Sequence, residues 1–346
     1  MRSVLLCCLV AGLGLGGSLM ARAATGVRVT PDEAHRRVDV TIDGKAFTSF
    51  VWPTSLKKPV LYPLVSSDGV TVTRGYPLEP RPGERTDHPH HAGVWFNYGN
   101  VNGFDFWNNS DAIPEARRDK MGTIHLEKIV STRSGANSGE LVTRSVWTAG
   151  DGKDLLDETT HYVFTRRGDE RVIDRITTLT ALDRVVFHDD KEGVLGIRVA
   201  HFLESPTEKG GTFTDADGHA TKVSSSVPGA TGVYLTSEGV KGDAVWSTRG
   251  RWCLLTGHTG DHVETVAILD HTGNPGYPTY WHARGYGLFA ANPLGRSIFD
   301  PKAPAFNFTL EKGQTATFRY RVVVLPRAAT AAEMNKEAEA FNGEYR

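Results

Sequence analysis

The feature that most constrains the fold is a succession of short runs rich in Val, Ile, Thr and aromatic residues, cut by Gly, Asp, Asn and Pro. Such residues suit a pleated, half-buried surface, and the breakers between them are turn formers. Val38 to Ile42 alternates apolar and polar residues, then turns at Asp43-Gly44 into Phe47 to Trp52. Val60 to Val65 leads through Ser67-Asp68-Gly69 to Val70 to Thr73. Further strands are expected over Gly122 to Val130, Glu140 to Thr148, Glu158 to Arg166 and Arg171 to Leu182. The second half continues with Gly196 to Leu203, Ala244 to Thr256, Val263 to Leu269, Gly287 to Ala291, Ala305 to Leu310 and Thr315 to Leu325. Only Ala328 to Asn342 has the alanine content and strong helix formers of a helix. The fold class is therefore all-β, a large antiparallel β-sandwich with a C-terminal helix. The Gly/Ser-rich stretch from Gly210 to Gly232 reads as an elaborated loop, so residues 24–346 are expected to form one domain.

Residues 1–23 have the three parts of a secretory signal. Arg2 precedes an apolar run from Val4 to Leu19, and Ala21-Arg22-Ala23 offers a small-x-small cleavage site. A periplasmic or secreted protein is expected. Removal of the signal leaves Cys253 alone among three cysteines, so no internal disulfide is expected. The full chain has 39 basic and 40 acidic residues; without Arg2 and Arg22 the net charge is −3. That balance gives no electrostatic case for nucleic acid or an anionic membrane, and no later segment approaches a membrane span.

Two histidine-bearing stretches point to chemistry. Asp87-His88-Pro89-His90-His91 packs three imidazoles beside a carboxylate, ahead of Trp95 and Phe96. Histidine is the side chain best suited to metal ligation and to proton transfer near neutral pH. Pro89 biases His88 toward an extended conformation, which would put His88 and His90 on one face and His91 on the other. The second stretch, Asp270 to Tyr286, is dense in Gly and Pro and reads as an irregular loop carrying Asp270, His271, Tyr280, Trp281, His282 and Arg284. If the two meet, His88, His90, His91, His271 and His282 would hold a divalent ion, Zn, Mn or Cu. His90, Asp87, Asp270 and Glu204 are the candidate catalytic groups. Arg74, Arg284, Tyr280, Trp95 and Trp281 would bind substrate, since flat rings and directional polar groups suit a sugar. His201, His188 and His161 are weaker candidates. No Gly-x-Ser-x-Gly elbow, phosphate-binding loop, dinucleotide fingerprint or His-Glu-x-x-His is present.

Four segments carry a family resemblance: Leu61-Tyr62-Pro63-Leu64-Val65, Thr73-Arg74-Gly75-Tyr76-Pro77-Leu78, Asp87-His88-Pro89-His90-His91, and Asn274 to Tyr286. Together they resemble the bacterial family of unknown function DUF6807, whose members often carry the label methane oxygenase PmoA. The label itself fits poorly. A methane monooxygenase subunit spans the membrane, and a copper histidine brace needs an N-terminal histidine, whereas cleavage near Ala23 would expose Ala24 or Thr25. Copper at the internal histidines stays chemically allowed. The resemblance implies exported proteins associated with sugar processing, some acting on 3-keto sugars. The expected function is metal-assisted cleavage of a glycoside, by hydrolysis or elimination. Non-catalytic carbohydrate binding and metal-dependent oxidation are the alternatives. The ligand is expected to be a small molecule or an oligosaccharide.

Overall fold

A computed structural model describes residues 25–206, 211–214, 220–223 and 228–345. The expected signal segment lies outside them. Two antiparallel sheets face each other. The first has nine strands, in the order Val27–Asp32, Arg37–Ile42, Lys45–Val51, Val60–Leu61, Val94–Tyr98, Gly193–Arg198, Leu288–Asn292, Thr279–Arg284 and Arg249–Gly250. The second has eight, in the order Val233–Thr236, Trp252–Thr259, His262–Asp270, Thr315–Leu325, Glu170–Ala181, Asp154–Arg167, Ser138–Ala149 and Gly122–Arg133. The all-β sandwich expected from the strand pattern is thus what forms.

The main core fills the space between the sheets. In Ser138–Ala149 burial alternates strictly, so one face packs inward and the other stays wet. Phe96 of the first sheet meets Phe318 and Trp147 of the second at centroid distances of 5.6 and 6.3 Å. His262–Asp270 is buried along most of its length because both its faces are covered. Val266 and Ile268 point into the sandwich, while Ala267 and Leu269 lie against the C-terminal helix. That helix spans Ala331–Glu344 and buries Met334, Ala338 and Phe341. Thr330 and Glu333 form a reciprocal capping box at its start, which is why it begins three residues later than the alanine content suggests.

Several expected elements differ. The strand expected over Gly196 to Leu203 ends at Arg198 and continues as a short 3-10 turn, His201–Leu203. Ala244 to Thr256 divides into a 3-10 turn, the short strand Arg249–Gly250 and the strand Trp252–Thr259. Val70 to Thr73 makes only isolated bridges. The stretch from Gly210 to Gly232 holds a small hairpin, Gly211–Thr214 with Ala220–Val223, and its remaining described residues run without one. Asp270 to Tyr286 is not wholly irregular, because Thr279–Arg284 is a strand of the first sheet. Its apolar and aromatic residues pair in register with Leu288–Asn292, and tertiary pairing overrides the Gly/Pro density before it.

Candidate functional site

The platform is the outer face of the first sheet. Residues directly opposite in antiparallel strands share a face. Trp95, Gly196, Ala290 and His282 form one row across four strands, and Arg198, Leu288 and Arg284 form the next. Phe96, Leu195, Ala291 and Trp281 belong to the opposite face, inside the sandwich. Trp95 lies flat over Gly196, where an added Cβ would sit 2.5 Å from Trp95 Cζ2. Only glycine admits the indole there.

Above this platform His88 to His91 makes a tight turn. The His91 amide donates to the His88 carbonyl at 3.0 Å, and His88 has a φ of +47°. The segment is therefore not extended. His88 and His91 stack on one another, instead of His88 and His90 sharing a face. The buried Arg74 holds the turn. Its Nη1 donates to the carbonyls of Arg85 (3.3 Å) and Asp87 (2.8 Å) and to Asp87 Oδ1 (2.9 Å). Its Nη2 donates to the carbonyls of His88 and His91, each at 3.0 Å. Arg198, fully buried on the sheet, adds a second bond to Asp87 Oδ1 at 2.7 Å. Burial pushes the Asp87 carboxyl up, but His88, Arg198 and Arg74 together outweigh it and hold the group far below the usual carboxylate range.

The rings of Tyr286, His88, His91 and Trp95 form a continuous stack, with centroid separations of 5.2, 4.9 and 5.1 Å and interplanar angles of 6°, 5° and 16°. Trp107 Nε1 donates to His91 Nε2 at 3.1 Å. Arg198 Nη1 lies 3.3 Å from His91 Nδ1, and indole and guanidinium nitrogens are donors only, so both ring nitrogens of His91 face donors and neither is open to a metal. His88 Nδ1 lies 3.0 Å from Asp87 Oδ2, an electrostatic contact too oblique to be a full hydrogen bond as the rings stand. His88 keeps 12% of its side chain at the surface. His90 is buried, and neither of its ring nitrogens has a protein partner. Desolvation holds both His90 and His91 neutral, well below the ordinary histidine range.

Tyr286 is also the wall of a cleft of about 470 Å³. Trp246, Arg284, Arg85, Asp243 and Gly285 share the lining. The Arg284 guanidinium lies 5.1 Å from the Trp246 ring centroid and 5.9 Å from that of Tyr286. Gly285 keeps the floor open, since a Cβ there would meet Asp243 Oδ1 at 3.1 Å and Ser205 Cβ at 3.2 Å. Behind the wall Arg85 Nε donates to the buried Glu204 Oε2 at 2.9 Å, and His201 Nδ1 lies 3.2 Å from the same oxygen. That contact raises the His201 pKa. The assembly offers flat apolar faces, two guanidinium groups and a carboxylate around a sugar-sized space, with a carboxylate-backed imidazole beside it.

The two histidine-bearing stretches do not form one metal centre. His271 packs edge-on against Phe341 of the C-terminal helix, on the other sheet, and its Nδ1 accepts from the Gly273 amide at 3.0 Å. Among the described residues, no three of His88, His90, His91, His271 and His282 bring donor atoms within 4.8 Å of one another. His282 reaches the same face as Trp95 but pairs its Nδ1 with the Lys191 carbonyl at 3.0 Å and lies tilted against Trp246, with ring centroids 5.2 Å apart. Asp270 is a loop brace and not a catalytic group, accepting from Asn274 Nδ2 and the Thr279 amide. Trp281 is sealed in the core, Tyr280 packs on Phe299, and Trp95 is covered by His91. None of these three can stack on a ligand. Arg74 is a buried clamp and does not bind substrate, whereas Arg284 does face the cleft. Glu204 sits behind the cleft with its Oε2 already shared.

Sequence reasoning overlooked Arg198, Trp246, Asp243 and Lys58. Lys58 is almost fully buried, donates to the His90 carbonyl at 2.8 Å and lies 5.5 Å from the Trp95 ring centroid. Burial lowers its pKa to about 7. Nothing in Leu56-Lys57-Lys58-Pro59 signals this. Arg198 had a readable signal: two glycines, Gly193 and Gly196, in a strand otherwise buried mark the close approach of another group, and Arg198 shares Gly196's face.

No curated protein sequence matches the chain. Solved structures of similar shape include the GH36 α-galactosidase AgaB from Geobacillus stearothermophilus, at 15% identity and a TM-score of 0.37, covering 86% of this chain and 40% of that one. A galactose mutarotase-like protein from Clostridium acetobutylicum shares 9% identity at a TM-score of 0.40, covering 87% and 98%. Galactose 1-epimerase from Lactobacillus acidophilus NCFM shares 10% at 0.37, covering 87% and 99%. The chain thus spans about 40% of the length of the α-galactosidase it matches. At these TM-scores the likenesses carry no argument about this chain. The sequence profile of one family matches residues 37–339, and the chain belongs to that family, the family of unknown function DUF6807.

Proposed function

We propose that this protein is a carbohydrate-active enzyme that holds a sugar in the cleft beside Tyr286 and cleaves a glycosidic bond by proton transfer through His88. The observation that carries this reading is His88 itself. It is the one imidazole of the turn that is backed by a carboxylate, partly open to solvent and stacked on the cleft wall. Asp87, held by the two arginines that bond it, fixes the position of His88, the arrangement of a general base set by an oriented carboxylate.

A 3-keto glycoside is the substrate class to test first. Its C2 proton is acidic, and Arg284 and Arg85 at the cleft suit the enolate oxygen that forms when it leaves. In that case the proton passes from C2 to His88. The C1 oxygen then departs with its electron pair, takes the proton from the imidazolium, and leaves an unsaturated keto sugar. Hydrolysis would use the same imidazole to activate water. Action in the periplasm or outside the cell belongs to the same proposal, supported by the apolar run from Val4 to Leu19. The test is turnover of a panel of plain and 3-keto glycosides by the purified protein. Cleavage of at least one class is expected, with saturable binding of its sugar. Saturable binding without cleavage of any would make the protein a carbohydrate binder and sink the enzymatic reading.

A further inference from the structure

We propose that Asp68, His262 and Glu264 form a site for one divalent transition-metal cation, zinc first, outside the histidine turn and its cleft. One donor atom from each of the three lies within 4.8 Å of the others. That is the span three ligands reach around one ion when each bond is about 2.0–2.4 Å. The backbone dictates the grouping. His262 and Glu264 are two apart at the start of the strand His262–Asp270, so both side chains leave the same face. Asp68 comes from the tight turn Ser66 to Val70, closed by the Ser66 amide on the Val70 carbonyl at 2.9 Å and by Gly69 at a φ of +96°.

Ser66 Oγ orients both carboxylates, lying 2.6 Å from Asp68 Oδ1 and 3.2 Å from Glu264 Oε1. The second oxygen of Glu264 is left for a ligand. His262 Nδ1 is 2.8 Å from Asp68 Oδ2. The Glu264 side chain is 0% exposed, yet its Oε2 has no protein partner. Among the described residues neither carboxylate pairs with a lysine or arginine. Two carboxylates and an imidazole suit zinc or manganese better than calcium. Asp68 and His262 are exposed, so water can complete the shell. A bound cation would tie a turn that follows the first sheet's Val60–Leu61 strand to a strand of the second, and so fasten one edge of the sandwich.

A proton shared between Glu264 and Asp68 is the competing account of the same geometry. The full chain, stripped with chelator, is titrated with zinc chloride by calorimetry and melted with and without zinc. One equivalent should bind, and a free concentration of about 100 times Kd should raise the melting temperature. Glu264→Gln and His262→Ala should each weaken that equivalent at least about tenfold and abolish the zinc-dependent shift, while melting like the chelated parent. Zinc binding unchanged in both variants would assign it to other histidines and overturn the proposal. No binding by the parent would overturn it too. Glutamine preserves a hydrogen bond to Asp68, so a mere proton-sharing pair shows no zinc-dependent difference between Glu264→Gln and parent.

Discussion

Replacing Arg74 with lysine separates the charge of this residue from its hydrogen-bonding fork. The guanidinium satisfies five acceptors: the carbonyls of Arg85, Asp87, His88 and His91, and Asp87 Oδ1. Asp87 Oδ1 and the His88 carbonyl keep other donors, Arg198 and the His91 amide, but a single ammonium cannot stand at both ends of the fork, so one or two of the carbonyls of Arg85, Asp87 and His91 lose their partner. Each orphaned buried group costs about 1–3 kcal/mol, so Arg74→Lys should destabilise the protein by about 1–6 kcal/mol. The charge facing Asp87 is retained, which assigns the loss to geometry. Urea unfolding at pH 7 measures it. With an m-value of about 3 kcal/mol/M the midpoint should fall by about 0.3–2 M. A variant within about 0.5 kcal/mol of the parent would mean the fork does not hold the turn, and the positioning of His88 would need another cause.

Lys58 has a lower pKa folded, about 7, than unfolded, near 10.5. The unfolded chain therefore binds more protons between these values, and stability should rise with pH from about 7 toward 10; Lys58→Met should flatten that rise, whose ceiling is about 5 kcal/mol. Parallel urea midpoints for parent and variant at pH 7 and 9.5 would contradict the burial cost. Gly196→Ala should push Trp95 off the sheet, costing about 1–3 kcal/mol and changing the tryptophan emission; an unaltered spectrum and stability would show the indole has room. Trp246→Ala should weaken sugar binding about tenfold in calorimetry, and unchanged affinity would move the ligand elsewhere.

The sandwich was legible because alternation in strands such as Ser138–Ala149 is written directly in residue order. The interruption of Ala244 to Thr256 was not, because its apolar residues satisfy two different sheets. At the site, Asp87 and the three histidines announced themselves by density, and the structure keeps them together. Their division of labour depends on partners distant in sequence. Trp107 and Arg198 face the two nitrogens of His91, Arg198 also holds Asp87, and Phe341 draws His271 to the far side. The aromatic residues named from sequence, Trp95, Trp281 and Tyr280, are buried because large rings serve packing as readily as recognition. The cleft uses Trp246 and Tyr286 instead, and only the fold brings these two beside one another.

The decisive measurement is the comparison of turnover and sugar affinity in His88→Gln. Glutamine fills the same space and keeps a polar tip, but it cannot take up a proton. If His88 moves the proton, kcat should fall about 10²–10⁴-fold while the dissociation constant for the sugar changes by no more than about threefold. Parental kcat in the variant would remove His88 from the chemistry and contradict the proposed mechanism.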